Sequence, residues 1–320
     1  EVYKAITDKV ADKENGLAGR IYSMFKGNQF IMYVYKTYRD IRLVGAPPES
    51  VGKFGGDTDN WEWPRHTGDF SVFRVYASKD GKPADYSKDN MPLKPKHFLP
   101  VSIKGFKDGD FAMIYGYPGG TNRYETSYGI KLKNEIENPS LVGLRDMRLK
   151  YMYAEMIKDP AVKLKLADNY AGVANYWKFF DGETKQLVKF NTYAQKQNYE
   201  NKFTAWAKGK PDYETLMAEY AQNYATWTPY SKLRQYINEG VAGSPLIAAA
   251  AGLFSLEDKL LKNNTPAADL KKATDAATTN RTAFLEHEDL PSDEKILAAV
   301  CQMFYNDVDK NQHPVGFYEG

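Results

Sequence analysis

Cysteine is almost missing from this chain: its 320 residues hold one, Cys301. That excludes a disulfide within the chain and leaves the compartment undecided, because proteins of the bacterial periplasm often do without disulfides. Histidine is nearly as scarce, with four residues. His97, His287 and His313 stand isolated, so no His/Cys set has the spacing of a zinc site. An excess of either charge is missing as well. With 43 basic against 41 acidic side chains, electrostatics gives no case for nucleic acid or an anionic membrane as the main partner. Long apolar runs are absent; the longest, around 246–254, is too short and too rich in alanine to cross a bilayer. There is no initiator methionine and no positively charged apolar leader at Glu1, and the last residues read "HPVGFYEG". We read the sequence as a piece of a longer protein.

What is present is a change of period along the chain. A length of 320 residues exceeds one typical core, so two structural units are expected. Residues 1 to about 28 read as helix, from Val2, Ile6 and Val10 at helical spacing and then Ile21 to Phe25. "FIMYVYKTY" (30–38), "DIRLVGAPP" (40–48) and the alternating "DFSVFRVYA" (69–77) read as strands. "LPVSIKGFKDGDFAMIYGYPGGT" (99–121) reads as two more, split by turn residues. From about Thr126 the pattern is helical to the end. Asn138-Pro139 marks a helix entry and Asp159-Pro160 a stop. The aromatics recurring there at three- and four-residue steps read as core. The fold class is β plus α, a β unit over 1–125 followed by a helical unit over 126–320.

One stretch concentrates chemistry: "FGGDTDNWEWPRHTGDFSVFRVYA" (54–77). Its "DTDNWE" opens like an acid-rich calcium loop. Glu62 stands where the sixth-position glycine belongs, however, and Gly68 where the closing acid belongs, so no metal site is read there. His66 and Asp69 lack a further ligand at zinc spacing. On a strand, Trp61 and Trp63 would present both rings on one face, as a sugar-stacking platform or as a seal on the end of a barrel. A serine peptidase of the chymotrypsin type needs a histidine base, a serine nucleophile and a carboxylate that fixes the histidine tautomer. Asp69, at the start of a strand, fits that carboxylate or else caps a turn. In "GVAGSP" (240–245) the nucleophile position of a G-x-S-G-x-P pattern falls on Ala242, which rejects Ser244 as the nucleophile, and no Gly-x-Ser-Gly occurs elsewhere.

The runs "GKFGGDTDNWEWPRHTGDFSVFRVYA" and "PLKPKHFLPVSIKGFKDGDFAMIYGYPGGTNRY", continued more weakly at "ANYWKFF", closely resemble the bacterial dipeptidyl-peptidase family that includes dipeptidyl peptidases 7 and 11. The resemblance implies a chymotrypsin-like double β-barrel with a large all-helical domain inserted between the barrels. This chain would be the later part of the first barrel plus much of that insertion. It places the triad aspartate at Asp69, with the histidine before Glu1 and the serine beyond Gly320, so the fragment alone would be inactive. His66 lies inside the motif and is not the base. The resemblance also implies that Asn60, the Trp61 backbone and Asn175 hold the free N-terminal ammonium of a peptide substrate. An asparagine carbonyl accepts from an ammonium without adding a charge to desolvate. Further implications are a preference for Asp or Glu at the second substrate residue, a periplasmic or cell-surface location, a homodimeric parent and no cofactor. The alternative from another class is a non-catalytic helical peptide-binding or scaffold protein.

Overall fold

The computed structural model describes residues 2–113, 120, 122–262 and 264–316, without the side chains of Lys26, Asp57 and Ser255. The chain divides into two compact units, Glu1–Asp59 with Trp63–Tyr117, and Asn60–Glu62 with Pro118–Gly320.

In the first unit, helix α1 (Val2–Thr7) leads to strand β1 (Leu17–Met24), which pairs antiparallel with β2 (Gln29–Lys36) from Leu17↔Lys36 to Met24↔Gln29. The expected helix over 1–28 therefore exists only at its start. The Ile21–Phe25 stretch is short enough to satisfy either period, and the β-branched and aromatic partner strand next to it decides for sheet. Strand β3 (Asp40–Gly45) is followed by two single-turn helices, α2 (Glu49–Gly52) and α3 (Gly56–Asp59). It pairs with β4 (Val72–Ala77), Asp40 facing Tyr76, and β4 carries the short β5 (Met91–Pro92) on its other edge. The strand expected from residue 69 begins only at Val72.

Residues 99–113, expected as strands, form none, and 114–119 with 121 lie outside the described residues. The apolar side chains of 99–113, Ile103 at 98% exposure among them, have no strand among the described residues to pack on. The sheets have two and three strands, and the described residues close no barrel. Buried polar groups anchor the three-stranded sheet. Asp40 accepts from Arg42 through Nε (2.9 Å) and Nη2 (2.8 Å) and from Asn90 Nδ2 (2.8 Å). The Arg42 guanidinium lies 3.7 Å from the Tyr76 ring centre.

The second unit is helical. Helix α4 (Ser127–Leu132) starts at Thr126, whose hydroxyl accepts from Gly129 N, and runs through a π-helical turn, Lys133–Glu137, into α5 (Asn138–Met156). The expected entry at Asn138-Pro139 is thus a point inside a longer helical run. Pro139 has no N–H to give Glu135, and the wider π turn accommodates that loss. Helix α6 (Pro160–Lys189) is capped by Asp159, which accepts from Ala161 N, so Asp159-Pro160 ends one helix and begins the next. Then come α7 (Thr192–Ala207), α8 (Leu216–Gln235), a second π turn (Tyr236–Val241), α9 (Pro245–Leu261), α10 (Ala267–His287) and α11 (Leu290–Asp307). The core joins α5, α6 and α11 through Met152, Leu166, Val173, Ile296 and Val300. A second cluster of Leu144, Tyr236, Phe304 and Val308 adjoins the π turn. Among the described residues no single helix is long and apolar enough to cross a membrane.

Candidate functional site

The acid-rich stretch folds as a tight polar turn. Asp59, at the end of α3, accepts from His66 N (2.5 Å), and His66 Nδ1 lies 3.4 Å from its other oxygen. The His66 backbone N–H, more than its ring, holds the Asp59 carboxyl below its usual range. A Cβ on Gly55 would stand 2.0 Å from Asp59 Oδ2 and 2.4 Å from its Cβ. The glycine is what lets the aspartate fold back over its own helix start. His66 is thus paired to an acid of its own turn.

Trp61 has φ +62° and belongs to no strand, so the two tryptophans share no strand face. Trp63 is 92% exposed and seals nothing. Trp61 instead leans on Phe179 of α6, ring centres 5.2 Å apart. Its indole Nε1 donates to both the backbone O (3.0 Å) and the Oδ1 (3.1 Å) of Asn175. Asn60 Nδ2 donates to the same Oδ1 at 2.8 Å. Asn175 Oδ1 therefore accepts from two side chains, which fixes its amide orientation and pins the Asn60–Trp61 turn to α6. Next to them Glu62 Oε1 stands 3.7 Å from Lys178 Nζ. Residues 115 positions apart in sequence, Asn60 and Asn175, thus meet in one polar cluster backed by aromatic rings.

Two contributors to this cluster escaped the sequence reading. Tyr176 and Phe179, spaced three apart, and Phe180 form a ring ladder beside Asn175, with centres 5.3–6.3 Å apart. Their helical spacing reads as ordinary core. Beneath them Arg145 and Arg148 of α5 share Glu239 of the second π turn. Two arginines at i, i+3 are visible in the sequence; their common acid is not.

Asp69 lies three residues ahead of β4, exposed, with no hydrogen bond among the described residues. Its neighbour Gly68 donates to Val51 O at 3.0 Å, tying this end of the loop to α2. Ser244 is buried in another role. Its hydroxyl donates to Asp293 Oδ2 (2.7 Å) and accepts from Ile247 N (3.3 Å), capping α9. Among the described residues no group of three or more His, Cys, Asp or Glu is placed to hold a metal ion.

Comparison with known proteins gives the family of the chain. The model of the peptidase S46 family matches residues 1–317. The chain is 41% identical over 308 residues to an Asp/Glu-specific dipeptidyl-peptidase of Flavobacterium psychrophilum, covering 95% of this chain and 43% of that protein. To a dipeptidyl-peptidase 7 of Capnocytophaga gingivalis it is 38% identical over 299 residues, 91% of this chain and 42% of the relative. The crystal structure of Porphyromonas endodontalis DPP11 in complex with the dipeptide Arg-Glu matches with a TM-score of 0.81 and 32% identity, over 98% of this chain and 45% of that one. The chain spans less than half the length of these relatives. On the family match and these identities, the chain belongs to the peptidase S46 family.

Proposed function

We propose that this chain supplies the substrate-end recognition and the triad aspartate of a serine dipeptidyl peptidase. The observation that carries the reading is the convergence of Asn60, Trp61 and Asn175 on one point. An enzyme that releases two residues must bind a free ammonium at a fixed distance from its nucleophile, and neutral carbonyl acceptors on a rigid support do this. An ammonium arriving at Asn175 Oδ1 exchanges with one of the two donors now held there, while the Trp61 backbone carbonyl offers a further acceptor. Asp69 would orient a histidine, and that histidine and the serine belong to parts of a chymotrypsin-like double barrel outside this chain. The description of two relatives as Asp/Glu-specific dipeptidyl-peptidases supports, for this protein, a preference for Asp or Glu at the second substrate residue. A periplasmic or surface location and a homodimeric parent complete the reading.

The test uses the full-length protein. A serine-reactive phosphonate should label it, and a dipeptidyl-coumarin with Asp or Glu in second position should be turned over. Asp69→Asn should lower kcat on the order of 10⁴-fold, the effect of a wrong histidine tautomer. Absence of both labelling and turnover would overturn the peptidase reading and leave a helical peptide-binding scaffold. Near-normal activity of Asp69→Asn would remove that residue alone.

A further inference from the structure

We propose that Arg145 is the positioning residue that sets the Asn175 rung of α6, with Glu239 as its anchor. The proposal deepens the dipeptidyl-peptidase reading and rests on Asn175 serving the substrate ammonium. Arg145 Nη1 donates to the Val173 backbone O (3.3 Å), two residues before Asn175. Its guanidinium carbon lies 5.5 Å from the Tyr176 ring centre and 5.7 Å from that of Phe180. Positions 173, 176 and 180 share one face of α6, while Asn175 and Phe179, four apart, form a neighbouring face that meets Trp61. One face of the helix is gripped by a cation and the next one receives the Asn60–Trp61 turn.

The grip is itself fixed. Arg145 Nη2 donates to Glu239 Oε2 at 2.6 Å and Arg148 Nη1 to Glu239 Oε1 at 2.7 Å, all three side chains no more than 14% exposed. Arg145 Nε is buried without a hydrogen-bond partner among the described residues, on a guanidinium that has two aromatic ring centres 5.5 and 5.7 Å away. Glu239 lies in the π turn Tyr236–Val241, where an extra residue in the turn re-aims a side chain. A planar fork with both ends engaged and rings along its face cannot be reproduced by lysine, which is a point charge on a flexible stem. Arg145 therefore couples three segments, α5, α6 and the π turn, at the level of Asn175.

The experiment measures kcat, KM and the inhibition constant of a product dipeptide in the full-length protein, for Arg145→Met, Asn175→Ala and the double variant. Arg145→Met should raise KM and the inhibition constant in parallel by about tenfold or more, with kcat within about threefold, as expected when binding at the substrate's end is loosened. In the Asn175→Ala background the same change should add less than about twofold, because its route to the substrate is already cut. Glu239→Gln keeps the side chain's shape and should move KM the same way by a smaller factor, so the test survives if Arg145→Met does not fold. Independent, multiplying effects of Arg145→Met and Asn175→Ala would overturn the positioning role, as would unchanged KM in both Arg145→Met and Glu239→Gln. An Asn175→Ala variant with unaltered KM would instead overturn the ammonium site on which the proposal stands.

Discussion

Asp40 carries the strongest electrostatic signature in the β unit. Buried and facing both Arg42 nitrogens and Asn90, its carboxyl is pulled down to about 2, the Arg42 hydrogen bonds contributing most and burial opposing them. A carboxyl depressed in the folded state adds stability that is complete above its unfolded value of about 3.9 and is lost as pH falls through the folded value. The β unit should therefore lose stability between about pH 4 and pH 2. Urea unfolding of the β unit, read from hydrogen exchange of the β3 and β4 amides corrected for intrinsic rates, should show at pH 5 and pH 3 a midpoint falling with acid, and Asp40→Asn should flatten that fall. An equally steep fall in Asp40→Asn would place the sensitivity in other acids. None of this is legible from the sequence. Asp40 opens a strand, Asn90 lies fifty positions on just ahead of β5, and the β3–β4 and β4–β5 pairings together bring them into contact. The candidate site divides in the same way. Asn60, Trp61 and Asp69 stand out in a run of unusual composition, whereas Asn175 in isolation is an ordinary helix amide that only the resemblance picks out. Arg145 and Arg148 show their spacing in the sequence, but nothing local points to Glu239 as their common acid.

At the scale of elements, punctuation that acts locally is easiest to read. Asp159-Pro160 carries its own cap and its own missing N–H, so the break between α5 and α6 follows from two residues. Residues 21–25 carry no such mark, and the strand they form depends on a partner that a local window does not contain. Ser244 shows why a motif needs its element. Beside a glycine and a proline it invites a catalytic reading, yet it caps α9 and donates to a buried aspartate of α11. Ser244→Ala should cost about 0.5–2 kcal/mol from the lost cap. A further penalty follows because Asp293 keeps the Leu246 N–H but loses a donor. Thermal unfolding of the full-length protein should shift downward, while the serine-reactive phosphonate labels wild type and Ser244→Ala to the same extent below the transition. Loss of labelling in a folded Ser244→Ala would make it the nucleophile and undo its structural assignment.

For the whole molecule, the two units differ in what holds their backbone. The helical unit encloses two apolar clusters, and its helices are locked by caps and by the shared Glu239. In the β unit, residues 93–113 make no strand beyond β5, and Phe98, Leu99, Val101, Ile103, Phe106 and Phe111 are each at least 74% exposed. Backbone with few buried contacts and no ladder opens at little cost, and cleavage follows the population of open states. Brief chymotrypsin treatment of the 320-residue chain should therefore cut first after Phe98, Phe106 or Phe111, and not after Leu99, which Pro100 follows. A product that begins within 99–112 and retains the helices should accumulate and resist further digestion, read by intact mass against time. The same chain with these three phenylalanines changed to serine should be cut more slowly and elsewhere. First cuts inside α5, α6 or α11 would contradict the order of stabilities drawn from burial, because those helices contain the side chains that the core excludes from water.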